Sequence, residues 1–99
     1  MGRQPREKPA RLGEKLLSIR QLLGFSQTQM AKALELEINY TVISSYELGT
    51  REPSLLVLLR YARLARTPVE FLLDDEMDLP EHLPVTGAYE WILRRKKSA

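Results

Sequence analysis

The sequence predicts an all-α domain of five short helices. Three observations carry that expectation. Apolar residues recur at helical rather than alternating spacing, glycine stops the first and third of these runs, and no alternating stretch is long enough to find a paired strand. With 99 residues, the chain has room for one core. Its 43% hydrophobic and 28% charged residues are the proportions of a folded chain rather than a disordered one.

The composition also narrows the chemistry. There are no cysteines, which removes disulfides, thiolate zinc sites and cysteine nucleophiles. The single histidine, His82, stands beside Glu81 between two Leu-Pro pairs, with no nucleophile or metal ligand at a matching spacing. No apolar run approaches the ~20 residues that span a bilayer, and the opening Met1-Gly2-Arg3-Gln4-Pro5 has no apolar leader core. The expectation is a cytoplasmic, cofactor-free, non-enzymatic protein that binds something, with no metal site, no catalytic residues and no membrane partner.

Residues 1–10, polar and carrying Pro5 and Pro9, read as a flexible basic arm. Helix one follows, with Leu12, Leu16, Ile19 and Leu23 on one face and Gly24 to end it. Ser26, with Gln29 three residues on, forms a capping box that opens helix two, whose buried side is Met30, Ala31 and Leu34. Gly24-Phe25 leaves little slack, so the first two helices meet at a sharp angle. Residues 35–39 alternate like a strand but are too short to stand alone, and read as a turn anchored by Leu36 or Ile38.

Asn39 or Thr41 caps helix three, which carries Val42, Ile43 and Tyr46 and stops at Gly49. Its β-branched run Thr41-Val42-Ile43 is poor helix material, so packing must hold it. Helix four spans about Ser54 to Ala65, with Leu55, Leu58, Leu59, Ala62 and Ala65 expected inward and Arg60, Arg63 and Arg66 outward. Thr67-Pro68-Val69-Glu70 supplies cap, first-turn proline and third-position acid for a short helix five through Leu73. Leu79-Pro80 and Leu83-Pro84 favour an extended stretch over 78–87, and residues from Ala88 onward suit a last helical turn ending in cations. The division is an arm over 1–10, a domain over 11–75 and an extension over 76–99.

Charge is unevenly spread. The net +2 divides into an excess of four cations over residues 1–73, six acids and no Lys or Arg over 74–90, and four cations over 91–99. A basic head with a separate acidic stretch suits a surface that meets a polyanion; clustered surface charge with no partner is the plainer reading.

Helices two and three, joined by a turn, have the plan in which the second helix of the pair lies in the DNA major groove. Residues 12–73 resemble the phage-repressor and Cro type of helix-turn-helix domain, the five-helix family often labelled XRE. The resemblance rests on Ile19-Arg20-Gln21-Leu22-Leu23-Gly24-Phe25-Ser26-Gln27, then Met30-Ala31, then Ile43-Ser44-Ser45-Tyr46-Glu47-Leu48-Gly49-Thr50-Arg51-Glu52-Pro53-Ser54. It implies double-stranded DNA as partner, a homodimer on a two-fold site, and repressor-like transcriptional regulation.

The resemblance also implies residue roles. Gln27, at the opening of helix two, would bind a backbone phosphate, while Ser26 and Gln29 need only cap that helix. Arg20 and Glu47 stand where the family often places a partly buried ion pair joining helix one to helix three. Matching back from Ile43, the groove-facing set is Tyr40, Thr41, Ser44 and Ser45, with Arg51 left for a phosphate. Hydroxyls accept or donate at any base pair, and a threonine methyl suits a thymine methyl, but none offers a bidentate fork.

Three departures from the family stand out. The turn between Leu34 and Ile43 is two residues longer than common and carries Glu35 and Glu37, which repel phosphates. After Tyr46-Glu47, Leu48-Gly49-Thr50 replaces the usual Asn-Gly-Lys. These changes weigh against strong DNA affinity, not against the fold. In the arm, Arg3, Arg6, Lys8 and Arg11 can follow a groove or remain solvated. The extension, with Leu79, Leu83, Val85, Tyr89, Trp91, Ile92 and Leu93, packs on its own domain or meets a protein partner. The alternative function is therefore an antitoxin or adaptor that uses the same fold to bind protein.

Overall fold

Leu12, Leu16, Ile19 and Leu23 are buried along one face of α1 (Leu12–Leu23), as their spacing dictates. In this computed structural model, residues 8–36 and 40–80 are described. Most of the arm, the turn residues Glu37, Ile38 and Asn39, and the extension from Glu81 onward lie outside the described residues. Four further helices follow: α2 (Gln27–Ala33), α3 (Thr41–Leu48), α4 (Leu55–Ala65) and α5 (Glu70–Leu73). The first helix is central, touching α3, α4 and α5, while α2 packs on α3.

Sharp, well-sealed ends let such short helices pack. Gly24 and Gly49 sit at φ +75° and +79°, the left-handed region that glycine enters without a Cβ clash. Each closes its helix with paired bonds: Phe25 N–H to Arg20 O and Gly24 N–H to Gln21 O after α1, Thr50 N–H to Ser45 O and Gly49 N–H to Tyr46 O after α3. The same closure follows α2 and α4, but with Glu35 (φ +58°) and Arg66 (φ +51°) in the glycine position. Ser26 accepts from Gln29 N–H while its own N–H donates to Gln29 Oε1, a complete capping box.

Two caps differ from expectation. Thr41 is the first residue of α3 rather than its cap, and Tyr40 before it already has helical dihedrals. Thr67 does not cap α5; its hydroxyl donates to Ala65 O, because the left-handed turn at Arg66 directs it back onto α4. The phase of α4 also differs. Leu55 is 81% exposed and Leu59 only half-buried, whereas Val57, Tyr61 and Leu64 join Leu58, Ala62 and Ala65 in the core. Ser54 Oγ accepts from Val57 N–H and starts the helix with Leu55 and Leu56 on the solvent side.

The packed unit runs past residue 75. Lys15, 2% exposed, donates from Nζ to the carbonyls of Phe71, Asp74 and Met77, each at 2.7 Å. Beside it, the Asp75 carboxylate accepts from the Ala10 and Arg11 N–H groups, and Arg11 reaches Asp75 O and Asp78. Leu79 then packs against the core.

Candidate nucleic-acid interface

The orientation of α3 is fixed by one polar cluster. Arg20 projects from the last turn of α1 and its Nε donates to Glu47 Oε2 at 2.6 Å, with Nη2 to Oε1 at 3.2 Å. This two-pronged geometry fits a planar guanidinium to a carboxylate and resists rotation. The side chains are 16% and 6% exposed, so solvent screens the pair little. Hydrogen bonding to Glu47 raises the Arg20 pKa further above its ordinary value. The remaining prong, Nη1, donates to Phe25 O in the α1–α2 turn at 3.0 Å.

Gln27, the first residue of α2, completes the cluster by donating from Nε2 to Glu47 Oε1 at 3.2 Å. One carboxylate therefore ties α1, α2 and α3 together. At the N-terminal end of α1, Gly13 makes the approach closer still: a Cβ there would stand 2.7 Å from Glu47 O and 3.2 Å from Tyr46 O. Only a glycine allows α1 to lie this near the end of α3. Next to the cluster, Tyr61 is fully buried and its hydroxyl has no hydrogen-bond partner; burial pushes its phenol pKa well up.

With Val42, Ile43 and Tyr46 buried, α3 turns the opposite stripe outward. Thr41 is exposed, Tyr40 is 52% exposed, and Ser44 and Ser45 are half-buried. These four share one side of α3, as helical spacing requires. Ser45 Oγ donates back to Thr41 O at 3.0 Å, so its proton is already engaged. Arg51 lies apart from the stripe, exposed in the α3–α4 loop, where it lines a groove of about 250 Å³ with Lys8 and Gly49. The loop thus brings Arg51 to where the arm leaves the domain.

Of the helix-four arginines, Arg60 turns to α2 and donates to Leu34 O at 2.9 Å, closing that helix. Arg63 and Arg66 are exposed. Two residues lie outside the set that the sequence predicts. Lys15 sits three residues after Leu12, on the apolar face, which is a readable signal for a buried cation. Leu48 lies seven residues after Thr41, on the outward stripe, and is 75% exposed.

Among the described residues, no group of three or more His, Asp or Glu is placed to hold a metal ion, and no helix is long and apolar enough to cross a membrane. No curated protein and no solved structure matches the chain. The model of the helix-turn-helix family HTH_3, the phage-repressor and Cro type, matches residues 16–72, from within α1 to within α5. That match takes in α2, α3, the Arg20–Glu47–Gln27 cluster and the outward stripe, and it covers more than half of the chain. This chain belongs to that DNA-binding, non-enzymatic helix-turn-helix family.

Proposed function

We propose that the protein is a sequence-specific, double-stranded DNA-binding transcriptional regulator of the repressor type, which reads the major groove with α3. The observation that carries this reading is the clamp on Glu47: three helices are locked so that a small polar stripe faces out, in a family whose domain binds DNA. Tyr40, Thr41, Ser44 and Ser45 meet base edges, while Gln27 and Arg51 hold phosphates on either side. Base contacts set specificity and phosphate contacts set register. The protein acts in the cytoplasm, on the nucleoid, as a homodimer whose two α3 helices enter successive major grooves about 34 Å apart on a palindromic site.

Selection of bound sequences from random duplex DNA, followed by a salt titration on the selected site, tests this function. A common palindromic motif is expected, with affinity falling steeply as salt rises. Thr41→Ala and Ser45→Ala should weaken the selected site and spare non-specific binding, whereas Arg51→Ala, outside the Glu47 clamp, should weaken both alike. Failure to enrich any motif, with no binding to duplex at low salt, overturns the reading.

A second reading keeps the fold and makes its surface a protein-binding one, as in an antitoxin or adaptor. Leu48, Leu55 and Leu56, at 75%, 81% and 56% exposed, favour it, since apolar side chains there gain nothing from phosphates. A stable complex with a protein partner, lost on substitution of these leucines or of Trp91 in the extension, is the outcome that would select it.

A further inference from the structure

The outward stripe of α3 has an unusual chemistry for a surface that meets bases. It consists of Tyr40, Thr41, Ser44, Ser45 and Leu48, and no rotation of the helix offers another set, because Val42, Ile43 and Tyr46 are buried and Glu47 is held by Arg20. None of the five carries the fork that pairs with guanine or adenine. The proton of Ser45 is engaged by Thr41 O, which leaves its oxygen able to accept but not to donate. Its large exposed side chains are Leu48 at 75% and Tyr40 at 52%, and the exposed Thr41 adds a residue that carries a methyl.

Each base pair shows donors and acceptors in the major groove, but only thymine shows an apolar group, its C5 methyl. We infer that α3 reads its site chiefly by seating thymine methyls against Thr41, Tyr40 and Leu48, and that Leu48 is a specificity residue of the recognition helix. This rests on the reading of α3 as the groove-bound helix and names what it recognises. Thr41 and Leu48 are seven residues apart, about 10.5 Å along the helix. At ~3.4 Å per base step they address methyls about three steps apart. Sites should therefore carry thymines at that spacing in each half. Ser45, accepting only, favours an exocyclic amino group between them, from adenine or cytosine.

The test begins from the selected duplex and replaces its thymines one at a time with uracil, which deletes the methyl and leaves pairing and hydrogen-bonding groups intact. Affinity of the wild-type protein should fall about fourfold for each contacted methyl, and stay unchanged on an unselected duplex. Thr41→Ser removes the protein-side methyl and keeps the hydroxyl; it should lose a similar factor, after which uracil at the partner position costs nothing more. Leu48→Asn, at an exposed position where folding is little affected, should erase the uracil effect at the other thymine. Equal affinity for thymine and uracil duplexes overturns the proposal, while a selected motif still upholds DNA recognition by other contacts. A Leu48→Asn variant that binds every duplex more tightly, with the uracil effect unchanged, overturns the assignment of Leu48. Absence of any duplex binding by the wild type fails the underlying function instead, so the two failures are distinguishable.

Discussion

Two sheltered cations, Lys15 buried and Arg20 half-buried, hold this domain together in different ways. Arg20 meets a carboxylate with two prongs and a carbonyl with a third, between α1, α2 and α3. Lys15 meets three main-chain carbonyls, between α1 and the end of α5. A guanidinium is planar, so its partners fix an angle; an ammonium is close to a point charge and seals a helix end without prescribing orientation. The difference teaches where precision is needed. The forked pair stands behind the helix that faces outward, inside the family match, whereas the lysine closure lies at its edges, with Lys15, Asp74 and Met77 all outside residues 16–72. The first region orients a surface and the second keeps the fold shut.

Substitutions at the two cations and their neighbours separate these roles. Lys15→Met removes the donor shared by the Phe71, Asp74 and Met77 carbonyls, of which, among the described residues, only Asp74 O keeps another bond, from Met77 N–H. It should lower stability by roughly 2–4 kcal/mol in urea unfolding. The molecules that remain folded should bind DNA as the wild type does. A large loss of affinity per folded molecule would erase the distinction between the two regions. Gly13→Ala is next. Alanine in a helix ordinarily stabilises by about 1 kcal/mol over glycine, but here the new Cβ meets the Glu47 carbonyl at 2.7 Å. Because backbone must move, the net should be a loss of about 1–2 kcal/mol together with weaker DNA binding. Stabilisation with intact binding would show that the α1–α3 approach is not tight.

Tyr61→Phe should raise stability by about 1 kcal/mol, since it removes a buried hydroxyl that has no partner. A loss instead would mean that the hydroxyl supports the Glu47 cluster. The smallest effect concerns pH. The N–H groups of Ala10 and Arg11 hold the Asp75 carboxyl below its ordinary range. The folded state therefore binds this proton less readily than the unfolded chain. The contribution of Asp75 is present above about pH 4 and fades as pH falls through its depressed folded value. Asp75→Asn should flatten the acid limb of a stability–pH profile slightly and leave neutral-pH DNA binding unchanged.

Much of this was legible in the sequence. The face of α1, the glycine stops at Gly24 and Gly49 and the Ser26–Gln29 box follow from local rules, and the structure carries each of them. The family resemblance named Arg20 and Glu47, but not that Gln27 joins them, because a glutamine at a helix start reads equally well as a phosphate ligand. The phase of α4 misled. Leucines at 55, 56, 58 and 59 offer two competing apolar faces, and burial of Val57, Tyr61 and Leu64 depends on what α4 meets rather than on its own pattern. Glu35 and Arg66 in left-handed turns had no signal, as both types ordinarily avoid that region. The place of Lys15 on the apolar face marks it for burial, but not its partners, which are main-chain carbonyls that no side-chain motif announces.

In the proposed function the carboxylate of Glu47 orients α3 for DNA. Glu47→Gln tests it most directly, keeping the shape while removing the charge that Arg20 grips. Folding stability and affinity for the selected duplex would be measured together, at a temperature where circular dichroism shows the variant fully folded. Stability should fall by about 2–3 kcal/mol. Affinity should fall by about tenfold or more, the equivalent of a displaced base contact, although no molecules are unfolded. A fully folded Glu47→Gln protein that binds the selected site as tightly as the wild type would show that Glu47 does not orient α3 for DNA.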